Sequence, residues 1–430
     1  MRSNSIWSFR HLGFLPLAAL LAMALNPGGG QAEPVRSAYW PGLWGPNRDA
    51  RVTDPLRVES GAQLKEVWRR PVGKGFSEVA MEGDRGYTMF TDGEFDHLTA
   101  FDLATGKEVW RTRMDATYRG HDGSLDGPIS TPVTDSGRIF ALNPEGKLFA
   151  FEAASGHVLW QRDLKAELGG VPPFWGFATT PLPFGKTVVV QAGGERSNNL
   201  VALDSATGKT VWAAQPSTKN GYSSPVLLTL AGVPQIVAAT SDKVFAVRPE
   251  DGAILWTHEA IGEPRQSPVP LPGDRLFVTS WEESAVLKVT AGEGGFKVQE
   301  IWRKPVLKTT FSPTVFHQGF LYGMNGMFLT CLDPETGEMK WRERIFGASL
   351  ILVGDYLALI GEQSGVFRLV EASPQGFHER LKASVFTPGA RSLTGPMFVG
   401  GRFLLRNGEE MVMLELVNGN ASKGEKQGGG

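Results

Sequence analysis

A chain of 430 residues with 43 basic and 45 acidic side chains has no excess of charge to draw it to nucleic acid or to an anionic membrane surface. Its one cysteine, Cys331, excludes an intrachain disulfide and any cysteine-rich metal site, and is expected to pack as a small buried apolar group. The 53 glycines and 28 prolines fall at regular places between short apolar alternations, which is the turn chemistry of an all-β chain and not the composition of disorder.

At the N-terminus Arg2, Arg10 and His11 precede an apolar run from Leu12 to Leu25, and small residues follow to Ala32. The pattern predicts a cleaved secretory signal peptide over 1–32, the apolar run being shorter than the ~20 residues of a spanning helix. The mature chain is therefore expected to be periplasmic or secreted, without a transmembrane span, and without a lipid anchor because no cysteine stands at the processing site. Residues 33–61 read as an arm. Its segment WPGLWGPNRDA, Trp40 to Ala50, places two tryptophans and two prolines where no regular strand interior accepts them. We expect it to lay its aromatics on the outer flank of the domain that follows.

From residue 62 to 417 one unit recurs. LTAFDLATGKEVW (Leu98 to Trp110) returns as LFAFEAASGHVLW (Leu148 to Trp160), LVALDSATGKTVW (Leu200 to Trp212), VFAVRPEDGAILW (Val244 to Trp256) and LTCLDPETGEMKW (Leu329 to Trp341). Each copy is an alternating strand, an acidic corner such as Asp102, Asp204 or Asp333, a tight turn, and a second strand ending in Trp. Gly106, Gly156, Gly208, Gly252 and Gly337 supply the positive φ that a short bulged hairpin loop needs. The strand-ending tryptophans Trp68, Trp110, Trp160, Trp212, Trp256, Trp302 and Trp341 recur every 39 to 52 residues, and the next step lands near Leu381. That makes eight repeats of about 44 residues, suited to four short strands each.

A second signature precedes each Trp by about thirty residues: STPV, TTPL, SSPV, QSPV, FSPT and TGPM, beginning at Ser130, Thr179, Ser223, Gln266, Phe311 and Thr394. Proline is tolerated at a strand's first residue, so these lead-ins mark the innermost strands, converging on an axis. After Thr394 only three strand-like runs remain, and LKEVWRRPVG (Leu64 to Gly73) is an orphan outer strand. The expected fold is thus an all-β, eight-bladed β-propeller of four-stranded antiparallel blades, its last blade completed by the N-terminal strand. The tail, 418–430, has no core to join and is expected to be disordered.

These repeats resemble the pyrroloquinoline quinone (PQQ)-type propeller repeat, A-x-D-x-x-T-G-x-x-x-W, which Ala100, Asp102, Thr105, Gly106 and Trp110 match in full, as do Ala202, Asp204, Thr207, Gly208 and Trp212. The resemblance implies one of two functional branches. Quinoprotein dehydrogenases hold PQQ and Ca²⁺ on the propeller axis; the BamB-like propellers of outer-membrane protein assembly bind protein and no cofactor. The chain lacks the adjacent cysteine pair and the C-x-x-C-H haem motif associated with many of the former. The BamB-like branch is therefore expected: a monomeric, non-catalytic scaffold for protein or peptide partners, with a PQQ- and Ca²⁺-dependent oxidoreductase or a glycan-binding propeller as the alternatives.

In a four-stranded meander the loops into the innermost strand and between the second and third strands share one face, here called the upper face. The repeated turns lie on the other. Loops that vary on a rigid scaffold carry function, and the upper loops offer His121, Asp122, Asp126, Trp175, Arg196, Asn198, Arg265, Trp281, Glu282 and Arg391 as candidate binding residues. Trp and Arg are favoured anchors of a recognition surface. Asp96 and His97 fall beside a repeat strand and are expected to be structural. No residue is assigned a catalytic or metal-binding role.

Overall fold

The tight turns and period-2 alternation of the repeats fold the chain into eight antiparallel sheets arranged as the blades of a propeller. The computed structural model describes residues 38–121, 126–194, 199–217, 219–308 and 311–419, all within one unit, Val35–Gly430. The segment expected to be a signal peptide lies outside the described residues, as does the tail from residue 420 onward. Blade 1 runs from the inside outward as Ala80–Gly83, Arg85–Thr91, Phe95–Asp102 and Glu108–Ala116. Blade 8 is made of Met397–Val399, Arg402–Arg406 and Glu410–Val417, and its outermost strand is Gln63–Pro71, paired antiparallel from Gln63↔Val417 to Pro71↔Glu410. The ring is closed by the N-terminal strand, as the orphan repeat end predicts. Asn418 continues the tie, donating to Arg57 O and accepting from Glu59 N.

The tryptophans that end the outer strands bind blade to blade. Trp68, Trp110, Trp212 and Trp302 each donate Nε1–H to a carbonyl of the following blade: Leu103 at 2.9 Å, Ala153 at 3.2 Å, Pro249 at 2.9 Å and Pro334 at 2.8 Å. Trp160 and Trp341 do the same to Ser205 O at 3.1 Å and Ser373 O at 2.8 Å. The rings of Trp68, Trp110, Trp160, Trp212 and Trp302 lie against Gly106, Gly156, Gly208, Gly252 and Gly337, the turn glycines of the blades that follow them. A Cβ on Gly156 would stand 2.4 Å from the Trp110 ring, and one on Gly252 2.5 Å from Trp212. Glycine is therefore required twice over, by φ values of 73° at both positions and by the ring pressed on it. Gly337 is the looser member of the series: φ is 71°, but a Cβ there would meet the Trp302 ring at 3.3 Å and the flexible Lys304 side chain at 2.9 Å. Each buried indole withdraws on the order of 200 Å² from water, worth about 5 kcal/mol before entropy. Trp256 departs from the rule and donates to Gln235 Oε1 in its own blade at 2.7 Å. The next blade has, in place of the short acidic turn, a long hairpin of Ser284–Gly292 and Gly295–Lys304. Cys331 is a free, fully buried thiol in a blade strand, as its place in the repeat predicts.

The arm corrects the expectation drawn from its sequence. It does not lie on the flank; it fills the axis. Ala38–Trp40 pairs with Met81–Gly83 on the inner side of blade 1, and Arg51–Val52 runs parallel to Leu352–Val353 on the inner side of blade 7. Between them, residues 41–50 cross the ring. Pro41 O accepts from Thr134 N of blade 2 at 2.7 Å. The Arg48 guanidinium donates to the carbonyls of Thr180 (3.3 Å) and Pro181 in blade 3 and of Pro225 (3.2 Å) in blade 4. Trp40 is 1% exposed and Trp44 6%. The physical reason is that eight innermost strands splay apart at the axis and leave a channel, and an apolar, turn-rich segment buries more surface there than on the rim. Trp44, Arg48 and Ala50 adopt φ of 60°, 56° and 56°, the left-handed turns that let the segment coil inside so narrow a space.

Candidate functional site: the upper mouth of the axis

The Ser and Thr of the lead-in signatures knit the innermost strands into a belt around the channel. Glu78 N donates to Thr131 Oγ1 (3.1 Å), Ser130 Oγ to Thr179 O (3.1 Å), Thr180 N to Ser224 Oγ (2.9 Å) and Ser267 Oγ to Ser224 O (2.7 Å). Gln266 Nε2 donates to Ser312 O, and Gln266 Oε1 accepts from Thr314 N at 3.1 Å. This belt holds in place the residues immediately ahead of each lead-in, which form the mouth.

Arg265, just ahead of the QSPV lead-in, is the centre of the mouth. Its guanidinium carbon lies 4.2 Å from the Trp281 ring centroid, 4.7 Å from Trp175, 5.8 Å from Phe311 and 6.0 Å from Tyr222. Cation–π contact of this kind is worth roughly 0.5–2 kcal/mol per ring. Nη2 donates to Glu263 Oε2 at 3.3 Å, while buried Nε has no partner among the described residues. Tyr222 Oη accepts from Trp175 N at 2.9 Å; burial pushes its phenol up to about 12, so its own proton stays available to donate. Beneath lies a cavity of about 110 Å³, floored by Leu43 and Trp44 of the arm and walled by Phe76, Glu78, Phe311 and Arg265. It has room for several water-sized groups.

Glu78 is the one carboxylate on that cavity wall. It is 3% exposed, and burial raises it to about 7 although Trp44 N (3.1 Å) and Gly395 N (3.2 Å) both donate to it. One carboxyl thus joins the arm to the first and last blades.

Of the candidates read from the sequence, the structure brings Trp175, Arg265 and Trp281 together. His121 belongs to the same rim through Phe174, whose ring lies 4.7 Å from the imidazole and 5.5 Å from Trp175. Asp126 accepts from Arg119 Nη1 (2.8 Å) and Gly120 N (3.0 Å), which folds its own loop. Glu282 is exposed beside Trp281. Arg391 is engaged elsewhere, donating to Glu362 Oε1 at 2.9 Å. Asp122, Arg196 and Asn198 lie outside the described residues. Asp96 and His97 do not pair: His97 meets Asp92 at 2.8 Å and stacks on Phe90 at 5.3 Å, while Asp96, raised to about 7 by burial, accepts from Tyr118 N at 3.3 Å. Tyr222, Phe311 and Glu78 were missed. The available signal was position: Tyr222, Arg265 and Phe311 each stand four residues ahead of the first strand of their blade, Val226–Leu230, Val269–Leu271 and Val315–His317. Among the described residues no group of three or more His, Cys, Asp or Glu side chains is placed to hold a metal ion, and no helix is long and apolar enough to cross a membrane.

Fold and mouth together define an eight-bladed propeller of the PQQ-type repeat class with its axis closed by its own arm. Within that class the chain belongs to a particular family, the one described as outer membrane protein assembly factor BamB, whose model matches residues 94–343. It is 24% identical over 371 residues to outer membrane protein assembly factor BamB of Burkholderia pseudomallei, covering 74% of this chain and 92% of that one. With BamB of Bordetella pertussis it shares 21% over 378 residues, covering 83% and 88%. Among solved structures it is similar to BamB from Moraxella catarrhalis (TM-score 0.59, 16% identity, 82% and 98% covered). The quinohemoprotein alcohol dehydrogenase from Comamonas testosteroni is similar in fold as well (TM-score 0.63, 13% identity, 91% and 82% covered).

Proposed function

We propose that this propeller is a non-catalytic binding scaffold of the cell envelope, taking part in outer-membrane protein assembly and receiving a protein or peptide partner at the upper mouth. The observation that carries this reading is the stacked Arg265–Trp175–Trp281 cluster over a cavity whose floor is the arm itself. Half-exposed Trp281 and Phe174, 64% exposed, offer rigid aromatic anchors at low entropic cost, and the buried arginine adds a directional donor beside them. Membership of the BamB family supports the same assignment.

The residues at the axis do not fit a quinone with Ca²⁺. A Ca²⁺ ion takes six to eight oxygen ligands, whereas the channel is filled by residues 41–50. The carboxyls there, Asp49 and Glu78, are both pushed upward by burial, toward the neutral form. Two measurements, one on purified protein and one in isolated envelopes, test the assignment. Incubation with PQQ and Ca²⁺, followed by quinone absorbance and dye reduction, should give neither saturable binding nor turnover. Chemical crosslinking in isolated envelopes should trap a protein adduct that weakens in Trp281→Ala. Turnover in the first, or no adduct from folded protein in the second, would overturn it.

A further inference from the structure

Behind the mouth wall, in the seam between blades 8 and 1, stands a cation that neither the fold nor the mouth accounts for. Arg406 ends the second strand of blade 8 and is fully buried. Its Nη1 is saturated, donating to Ser77 O (2.6 Å), Met89 O (2.9 Å) and Thr88 Oγ1. Its Nε and Nη2 are buried with no partner among the described residues. Those two N–H groups share one edge of the planar guanidinium and point in parallel, the fork that grips an anion with two hydrogen bonds.

The backbone around Arg406 is held on both sides. Ser392 Oγ and Thr394 Oγ1 donate to its carbonyl at 2.7 and 2.9 Å. Gly75 passes close to the free edge: a Cβ there would come 3.3 Å from Nη2, so the chain's approach to the fork depends on glycine. Burial alone perturbs the group, lowering it to about 9, and no carboxylate among the described residues offsets its charge. An isolated guanidinium in a low-dielectric seam is costly unless compensated. Water would satisfy the two hydrogens and leave the charge. An anion satisfies both.

We infer that the Nε/Nη2 edge of Arg406 binds one small inorganic anion of halide size, a structural ion that ties blade 8 to blade 1 where the ring closes. A larger organic carboxylate is disfavoured because the fork is fully buried and Gly75 passes close to Nη2.

Two measurements on the full chain decide it. Thermal unfolding in sodium chloride or bromide should show a saturable rise, about 2 °C between 10 and 300 mM, that sodium gluconate at equal ionic strength does not reproduce and that Arg406→Met abolishes. Crystals grown in bromide should show an anomalous peak within hydrogen-bonding distance of Nε and Nη2, a test that needs no variant and survives any failure of Arg406→Met to fold. Equal stability in halide and gluconate, or an ordered water without anomalous signal at the fork, would overturn the site.

Discussion

At the scale of single residues, the turn glycines and Glu78 carry constraints that composition alone does not reveal. Gly252 sits at φ 73° with the Trp212 ring 2.5 Å from where a Cβ would stand, whereas Gly232, at φ 75°, has nothing within 4 Å. Alanine at Gly232 meets only the left-handed backbone penalty, about 1–2 kcal/mol. Gly252→Ala adds the displacement of the indole and should cost about 3 kcal/mol or more. Urea midpoints of the two variants check this, and equal losses would show that the ring is not what demands glycine. Glu78 contributes to the pH dependence. Its carboxyl moves from 4.5 in the unfolded chain to about 7 in the native one, so between those values the native state holds the extra proton and stability falls as pH rises. The loss amounts to about 3 kcal/mol by pH 8. Asp96, also raised to about 7, adds a fall of the same sign, so the test is a difference: Glu78→Gln should remove roughly half of the decline in urea midpoint from pH 5 to pH 8. An unchanged slope would mean that Glu78 is ionised throughout.

At the scale of elements, the blades were legible in the sequence and the arm was not, for one physical reason. A hairpin turn restricts residue choice locally: Asp102 Oδ1 accepts from Thr105 N and Oγ1 at 2.9 and 2.7 Å, and Gly106 follows at φ 67°, so the same or similar letters return in most copies of the turn. The contacts that seat the arm in the axis are distant in sequence. Trp40 and Trp44 announce that the segment must be buried, but whether against flank or axis depends on the channel left by eight converging strands, which no local pattern encodes. The mouth was legible in part. Trp175, Arg265 and Trp281 stand out in variable loops, while Tyr222, just ahead of a lead-in, and Phe311, the first residue of one, read as ordinary until the ring places them around Arg265. The arm's role is measurable within two adjacent residues. Trp40→Ala should cost about 3–5 kcal/mol, as for a large core aromatic. Tyr39→Ala, 59% exposed, should stay within about 0.5 kcal/mol. Similar small losses at both would remove the arm from the structural core.

At the scale of the whole molecule, the two faces divide the labour. The lower face carries the repeated turns on which the inter-blade tryptophans rest, and it varies little where a turn must receive a ring. The upper face is free of that constraint. There the lead-in belt fixes the strand starts, the arm seals the channel below, and the loops are left to present Phe174, Trp175, Arg265 and Trp281 over a shallow cavity. Such a ring, closed by the Gln63–Pro71 strand and seamed at Arg406, is a rigid platform with the proposed recognition surface on one side. Site-specific photo-crosslinking tests this most directly, with p-benzoylphenylalanine placed at Trp281 or Phe174 on the upper face and at Val233, at the strand end beside a lower-face turn and 37% exposed, as the control. Protein adducts from both upper positions and none from Val233 are predicted; adducts from Val233 alone, or equally from both faces, would contradict the account.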